Sequence, residues 1–116
     1  MPISTKTIQQ WIMNSAEVKT SGTLLLSGNN APRFTPLIVS GQGFAIATAA
    51  QLATATRITA YATDATAGDT ECSAYTGGEF NSELVNWPAG TTDAQKATAL
   101  GGSGITLTSP THDELT

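Results

Sequence analysis

Hydrophobic and polar positions along the chain alternate mostly with the two-residue period of strands. Ile58, Ala60 and Ala62 alternate with Thr59, Tyr61 and Thr63, which predicts a strand. Thr35-Pro36-Leu37-Ile38-Val39 opens another, with Pro36 at its first positions, where a missing N–H is tolerable. Gly41-Gln42-Gly43 then turns the chain into a short strand, Phe44-Ala45-Ile46-Ala47, so the two form a predicted hairpin. Upstream, Thr23-Leu24-Leu25-Leu26 runs into the breaker Ser27-Gly28-Asn29-Asn30-Ala31-Pro32. Ala49–Thr56 reads as a connecting loop, with a helix over Thr48–Ala55 as the alternative, because Ala and Leu tolerate one. Asp64–Glu71 reads as a loop and Glu71–Tyr75 as a strand. Gly77-Gly78 is expected to turn the chain before Phe80.

The last third changes character. Asn81–Trp87 begins with capping residues and is stopped by Pro88, which predicts a short helix. Thr92-Asp93-Ala94-Gln95 has capping-box spacing, Ala94–Leu100 holds good helix formers, and Gly101-Gly102 stands where a left-handed C-terminal cap belongs. Ile105-Thr106-Leu107-Thr108 alternates again as a final strand, and residues 109–116 have nothing to pack and read as a tail. The first twenty or so residues resist assignment. Ile3, Ile8, Trp11 and Ile12 would be a liability if left exposed, so a partner surface is their natural cover.

Composition narrows the function classes. A chain of 116 residues suits one domain, and its size makes partners or oligomerisation a common supplement to the core. Five Lys and Arg against nine Asp and Glu give a formal charge of −4, which argues against a nucleic-acid binder. No segment approaches the ~20 apolar residues that cross a bilayer. MPISTKTIQQWIMNS has Lys6 but no apolar run after it, so it does not read as a secretory signal. With Cys72 as the single cysteine, no internal disulfide framework is expected, and synthesis in the cytoplasm fits.

Candidate chemistry is sparse. A Cys72–His112 nucleophilic pair fails because His112 lies in the tail and no base is held beside the thiol. The plainer reading makes Cys72 a small buried thiol beside Tyr75. Asp64-Ala65-Thr66-Ala67-Gly68-Asp69 departs from a calcium loop at several places, so no metal is expected. Gly101-Gly102-Ser103-Gly104 lacks the Lys of a phosphate loop and follows a helix instead of preceding one. The chain therefore reads as a non-enzyme with no cofactor. Trp87 before Pro88 is forced toward extended backbone, which suits a core anchor or a subunit contact.

The order of the motifs resembles the head-decoration proteins of lambda-like tailed phages. The resemblance rests on Thr35-Pro36-Leu37-Ile38, the strand from Ile58 to Asp64, and Tyr75-Thr-Gly-Gly-Glu-Phe80. It continues through Glu83-Leu-Val-Asn-Trp87-Pro88 and Lys96-Ala-Thr-Ala-Leu-Gly-Gly102 to the closing Ile105 strand. It covers about two thirds of the chain, Thr35 to Leu107. The N-terminal arm does not match clearly, the Asp64–Cys72 loop is slightly longer, and the tail from Ser109 is an extension.

The resemblance implies a small mostly-β domain of the α+β class, with short strands, one or two short helices and an extended N-terminal arm, assembling as a trimer. It implies a protein made in the host bacterial cytoplasm that ends on the outer surface of the phage head. There it sits at three-fold sites of the expanded shell and braces it against packaged DNA. The expected organisation is a capsid-binding arm over 1–22, a domain over 23–108 and a tail over 109–116. The expected partners are the major capsid protein and itself, with no direct nucleic acid and no membrane. Capsid contacts are expected from Ile3, Ile8, Trp11, Ile12, Thr35 and Pro36, and trimer contacts from Trp87 and Pro88. Another virion component, such as a sugar-binding tail or spike piece, is the rival reading. An ice-binding protein is a weaker one, since Thr54, Thr56, Thr59, Thr63 and Thr66 are irregularly spaced.

Overall fold

A long antiparallel pairing organises the molecule. In the computed structural model, which describes residues 11–108 (13–17 by backbone only), β1 (Ile12–Leu25) runs beside a distant partner strand, Thr70–Asn81. Between them come β2 (Asn30–Ala31), β3 (Pro36–Ser40), β4 (Gly43–Ile46), a 3₁₀ segment (Ala49–Thr54), β5 (Arg57–Thr59) and β6 (Thr63–Asp64). The partner strand is thus β7, followed by a 3₁₀ turn (Ser82–Leu84), helix α1 (Asp93–Thr98) and β8 (Gly104–Thr108). The strands β1-β4-β3-β5-β7 are each bonded to the next, and β7 returns to β1, so five strands close into a ring. Closure removes most free edges. β8 lies parallel to the C-terminal half of β7, and β2 with β6 forms a separate two-stranded ribbon.

Alternation along the strands divides the apolar residues into two clusters. Leu37 and Ala74 join Leu25, Ala31 and Ala65 in one. Their neighbours Ile38 and Tyr75 pack into the other, with Phe34, Leu52, Ile58, Phe80, Leu100 and Ile105. Successive strand residues point to opposite faces, so β3 and β7 each feed both. Fully burying one such Leu, Ile or Phe contributes about 1.5–3 kcal/mol. The low-charge, Ala- and Thr-rich sequence thus builds a mostly-β domain with a divided core.

The β3–β4 hairpin forms as the sequence predicts, with Leu37 opposite Ile46 and Ser40 opposite Gly43. Its turn has Gly41 at φ 56°, the left-handed region that two-residue hairpin turns need. Other expectations need correction. Gly77-Gly78 does not turn the chain but lies inside β7. Gly78 adopts φ +132°, and an added Cβ would meet the Phe80 ring at 2.8 Å and the Val18 backbone at 3.2 Å. Glycine here permits close approach to β1, where the register shifts between Asn14, Lys19 and Thr20. The single strand expected over residues 58–63 divides into β5 and β6.

The helix expected over Asn81–Trp87 shrinks to one 3₁₀ turn. Asn81 caps it as expected, accepting from Glu83 N at 2.9 Å, but Val85 is extended and buried. Asn86 N then donates to Phe34 O at 2.8 Å instead of continuing a helix. α1 is shorter than the Ala94–Leu100 expectation and carries the expected capping box between Thr92 and Gln95. Its left-handed residue is Leu100, φ 60°, not a glycine. That conformation costs a non-glycine residue about 1–2 kcal/mol. It is offset here because the Leu100 side chain is fully buried and its N–H reaches Leu52 O at 2.9 Å.

Candidate functional site

The end of the sheet that holds Asn81 gathers most of the residues singled out from the sequence. β1 starts there, with Ile12 opposite Phe80, and Asn81 N donates to Trp11 O at 2.8 Å. From Ile12 onward the segment expected as an arm is β1 itself, laid along β7. Trp11 is half-buried between two rings: 3.8 Å from Phe34 at 14° and 4.7 Å from Phe80 at 20°, centroid to centroid. Tyr75 adds a tilted contact 4.7 Å from Phe80. The guanidinium of Arg33 covers Phe34 at 4.5 Å. Trp11 Nε1 is buried and has no hydrogen-bond partner among the described residues. Ile3 and Ile8 lie outside the described residues.

Thr35 and Pro36 are buried inside the subunit. Thr35 Oγ1 donates to Pro32 O at 2.6 Å and accepts from Asn86 Nδ2 at 3.0 Å. Thr59 Oγ1 donates to Pro32 O at 2.8 Å and accepts from Thr35 N at 2.9 Å. These bonds fix the exposed Pro32-Arg33 pair and hold Phe34 in its left-handed backbone, φ 65°. Any share Thr35 and Pro36 have in a contact surface therefore runs through the residues they position.

Trp87 and Pro88 are half-buried, and Trp87 packs against the same core cluster. The Trp87 indole N–H donates to Ser82 O at 2.9 Å, and Lys96 Nζ stands 5.7 Å above the ring. The indole is anchored below and keeps part of its face open, a geometry that serves a subunit contact as well as a core.

Cys72 is half-buried on β7 opposite Thr23, in the cluster of Leu25 and Leu37. Tyr75, three residues on, belongs to the other cluster, so the expected Cys72–Tyr75 neighbourhood is corrected by strand alternation. Burial pushes the Cys72 thiol above its ordinary pKa, which keeps it protonated and poorly nucleophilic. His112 lies outside the described residues. Among the described residues no three His, Cys, Asp or Glu gather as a metal site would require. The Asp64 carboxylate instead accepts from the Thr66 hydroxyl and N–H, which lowers its pKa and closes a polar turn. No helix of the described residues is long and apolar enough to cross a membrane.

Some structural residues escaped the sequence reading. Phe34 carries no local signal, since its role comes from Trp11 and Asn86, which are far away in sequence. Arg57 lies 4.5 Å over the Phe44 ring and donates to Gly22 O at 3.3 Å and to Thr23 Oγ1. Thr108 Oγ1 donates to Glu79 Oε2 at 2.7 Å. Only the strand register makes these partners visible.

A family model described as the bacteriophage lambda head decoration protein D matches residues 5–106. The chain belongs to that family. Membership makes it a structural protein of the bacteriophage virion with a capsid-decoration role, in a family that is not one of enzymes. The match begins well ahead of Thr35, so the β1 region shares the family pattern even though its motifs are weak by eye. No curated protein is similar enough to the chain to count as a match.

Proposed function

We propose that this decoration protein binds as a homotrimer at three-fold positions on the outer surface of the expanded head and stabilises the shell against packaged-DNA pressure. The major capsid protein is its partner. The family match over residues 5–106 carries this reading. The segment before Trp11, with Ile3 and Ile8, supplies apolar anchors, and Trp11 with Ile12 ties it to the domain. No described strand lies beyond β1 between Val18 and Leu24 on the edge away from β7. Such an edge gives an added strand main-chain partners. Three arms held by one trimer make weak contacts durable together through effective concentration. Thr35 and Pro36 contribute by fixing Pro32 and Arg33. Trp87 and Pro88 stand at the contact between subunits, where head-to-tail packing closes after three copies.

The test is binding to purified DNA-free heads before and after expansion, followed by heating. Binding to expanded heads alone, with a raised disruption temperature, is the expected result. Binding to neither form overturns the reading and moves the tail or spike alternative ahead. A monomer by sedimentation, both free and on the shell, removes the trimer.

A further inference from the structure

The outer edge of β1 is open at two residues, and one side chain reaches it. Ala60 N donates to Ser73 O at 3.0 Å, so Ser73 turns its main-chain groups toward β5. Gly22 stands opposite Ser73, and Thr20 stands opposite Tyr75. Alternation in an antiparallel ladder therefore turns the N–H and C=O of both residues away from β7. β4 meets this side of β1 only further along, where Leu25 pairs with Phe44 and Leu26 N donates to Phe44 O at 2.9 Å. No described strand covers Thr20 or Gly22, and both are exposed.

Arg57 spans the gap from the far side of the hairpin. It starts on β5, opposite Leu37 of β3. Its guanidinium lies 4.5 Å over the Phe44 ring and donates to Gly22 O at 3.3 Å and to Thr23 Oγ1. Thr23 is buried, and its hydroxyl in turn donates to Ser21 O at 3.2 Å. A planar cation, held by a ring and by a fixed hydroxyl, thus occupies the main-chain acceptor that an incoming strand would use. A charged side chain at an open strand edge is one of the ways in which sheets avoid pairing with another copy of themselves.

We propose that Arg57 is a latch on the β1 edge: in the free protein it holds the Gly22 carbonyl and keeps a second copy from pairing its own β1 there. The inference concerns the protein before it meets a shell and stands whether or not it decorates heads. Its test is sedimentation of the full chain over a concentration series, with circular dichroism to verify the fold. Arg57→Met keeps an unbranched stem on Phe44 and removes the donors. Two β1 edges that pair with each other form a two-fold contact, so the mass of this variant is expected to rise about two-fold over the wild-type species. Gly22→Pro removes only an outward N–H, which an edge strand tolerates. Added to Arg57→Met, it is expected to return the mass to the wild-type value. Arg57→Lys keeps stem and charge without the fork, and carries the same expectation if the Met variant fails to fold. Folded Arg57 variants that keep the wild-type mass overturn the latch. So does association that survives Gly22→Pro, which would place the contact elsewhere, and so does wild-type protein that itself pairs through this edge.

Discussion

The indole of Trp11 lies face to face with the ring of Phe34, 3.8 Å between centroids and 14° between planes. Phe34 sits in left-handed backbone, φ 65°, which a bulky residue adopts only when its surroundings compensate. The stack, the Arg33 guanidinium above and the bonds to Thr59 and Asn86 supply that compensation. Trp11 therefore has work in the free subunit, whatever it adds on the shell. Trp11→Ala is expected to destabilise the free protein by about 3 kcal/mol, and Trp11→Phe by much less. For a domain of this size that is a fall in Tm of roughly 15 °C, read by thermal unfolding without heads. An unchanged Tm would show that the indole acts only in the assembled particle.

Thr59 is fully buried, and its hydroxyl bridges Pro32 O and Thr35 N. Thr59→Val keeps the shape and removes both bonds, leaving the buried Thr35 N–H without a partner while Pro32 O keeps the Thr35 hydroxyl. The expected cost is about 2 kcal/mol, seen as a lower urea midpoint at unchanged m-value. Thr59→Ser restores the hydroxyl and is expected to recover most of it. A Thr59→Val variant as stable as the wild type, with the loss confined to Thr59→Ser, would assign the stabilisation to the methyl group and not to the two bonds.

What the sequence discloses here follows the range of each interaction. The β3–β4 hairpin and the α1 capping box are local, and residues 41–43 and 92–95 announce them. The ring closure is not local: Leu25 meets Thr70, and Ile12 meets Phe80. Nothing within β1 signals it, because Ser, Thr and Gly dominate its later half. Gly77-Gly78 has the composition of a turn, yet its role depends on Val18 across the sheet. The proposed capsid and trimer contacts rest on the family resemblance, since a contact with another chain leaves no trace in the pairing within one subunit.

Two glycines with positive φ separate backbone strain from crowding. Gly28 has φ +90° and nothing within 4 Å of an added Cβ. Gly78 has φ +132° and meets Phe80 and Val18. Gly28→Ala is expected to cost about 1 kcal/mol, from strain alone. Gly78→Ala is expected to cost about 3 kcal/mol, because the aromatic stack and the β1 bulge must also shift. Thermal unfolding of the two variants side by side measures the difference. Equal losses would show that the Phe80 ring moves aside freely.

Cys72 links burial to pH. Burial raises its pKa above the ordinary 9.0, and Glu71 adds to the rise, while the Thr63 hydroxyl and Arg57 oppose it. The folded protein therefore holds the thiol proton more tightly than the unfolded chain does. Its contribution to stability is fully present below the unfolded pKa and is lost as pH rises through the folded one. The urea midpoint of the wild-type protein is expected to fall, relative to Cys72→Ala, as pH rises through and above the ordinary thiol value of 9.0. Comparing with the alanine variant cancels every pH-dependent contribution that does not come from the thiol. The same proton explains reactivity: alkylation at about pH 8 is expected to be slower in the folded protein than in urea, since the thiolate is the nucleophile. A gap that stays constant with pH, together with equal alkylation rates, would mean that the thiol is as well solvated in the fold as in the open chain.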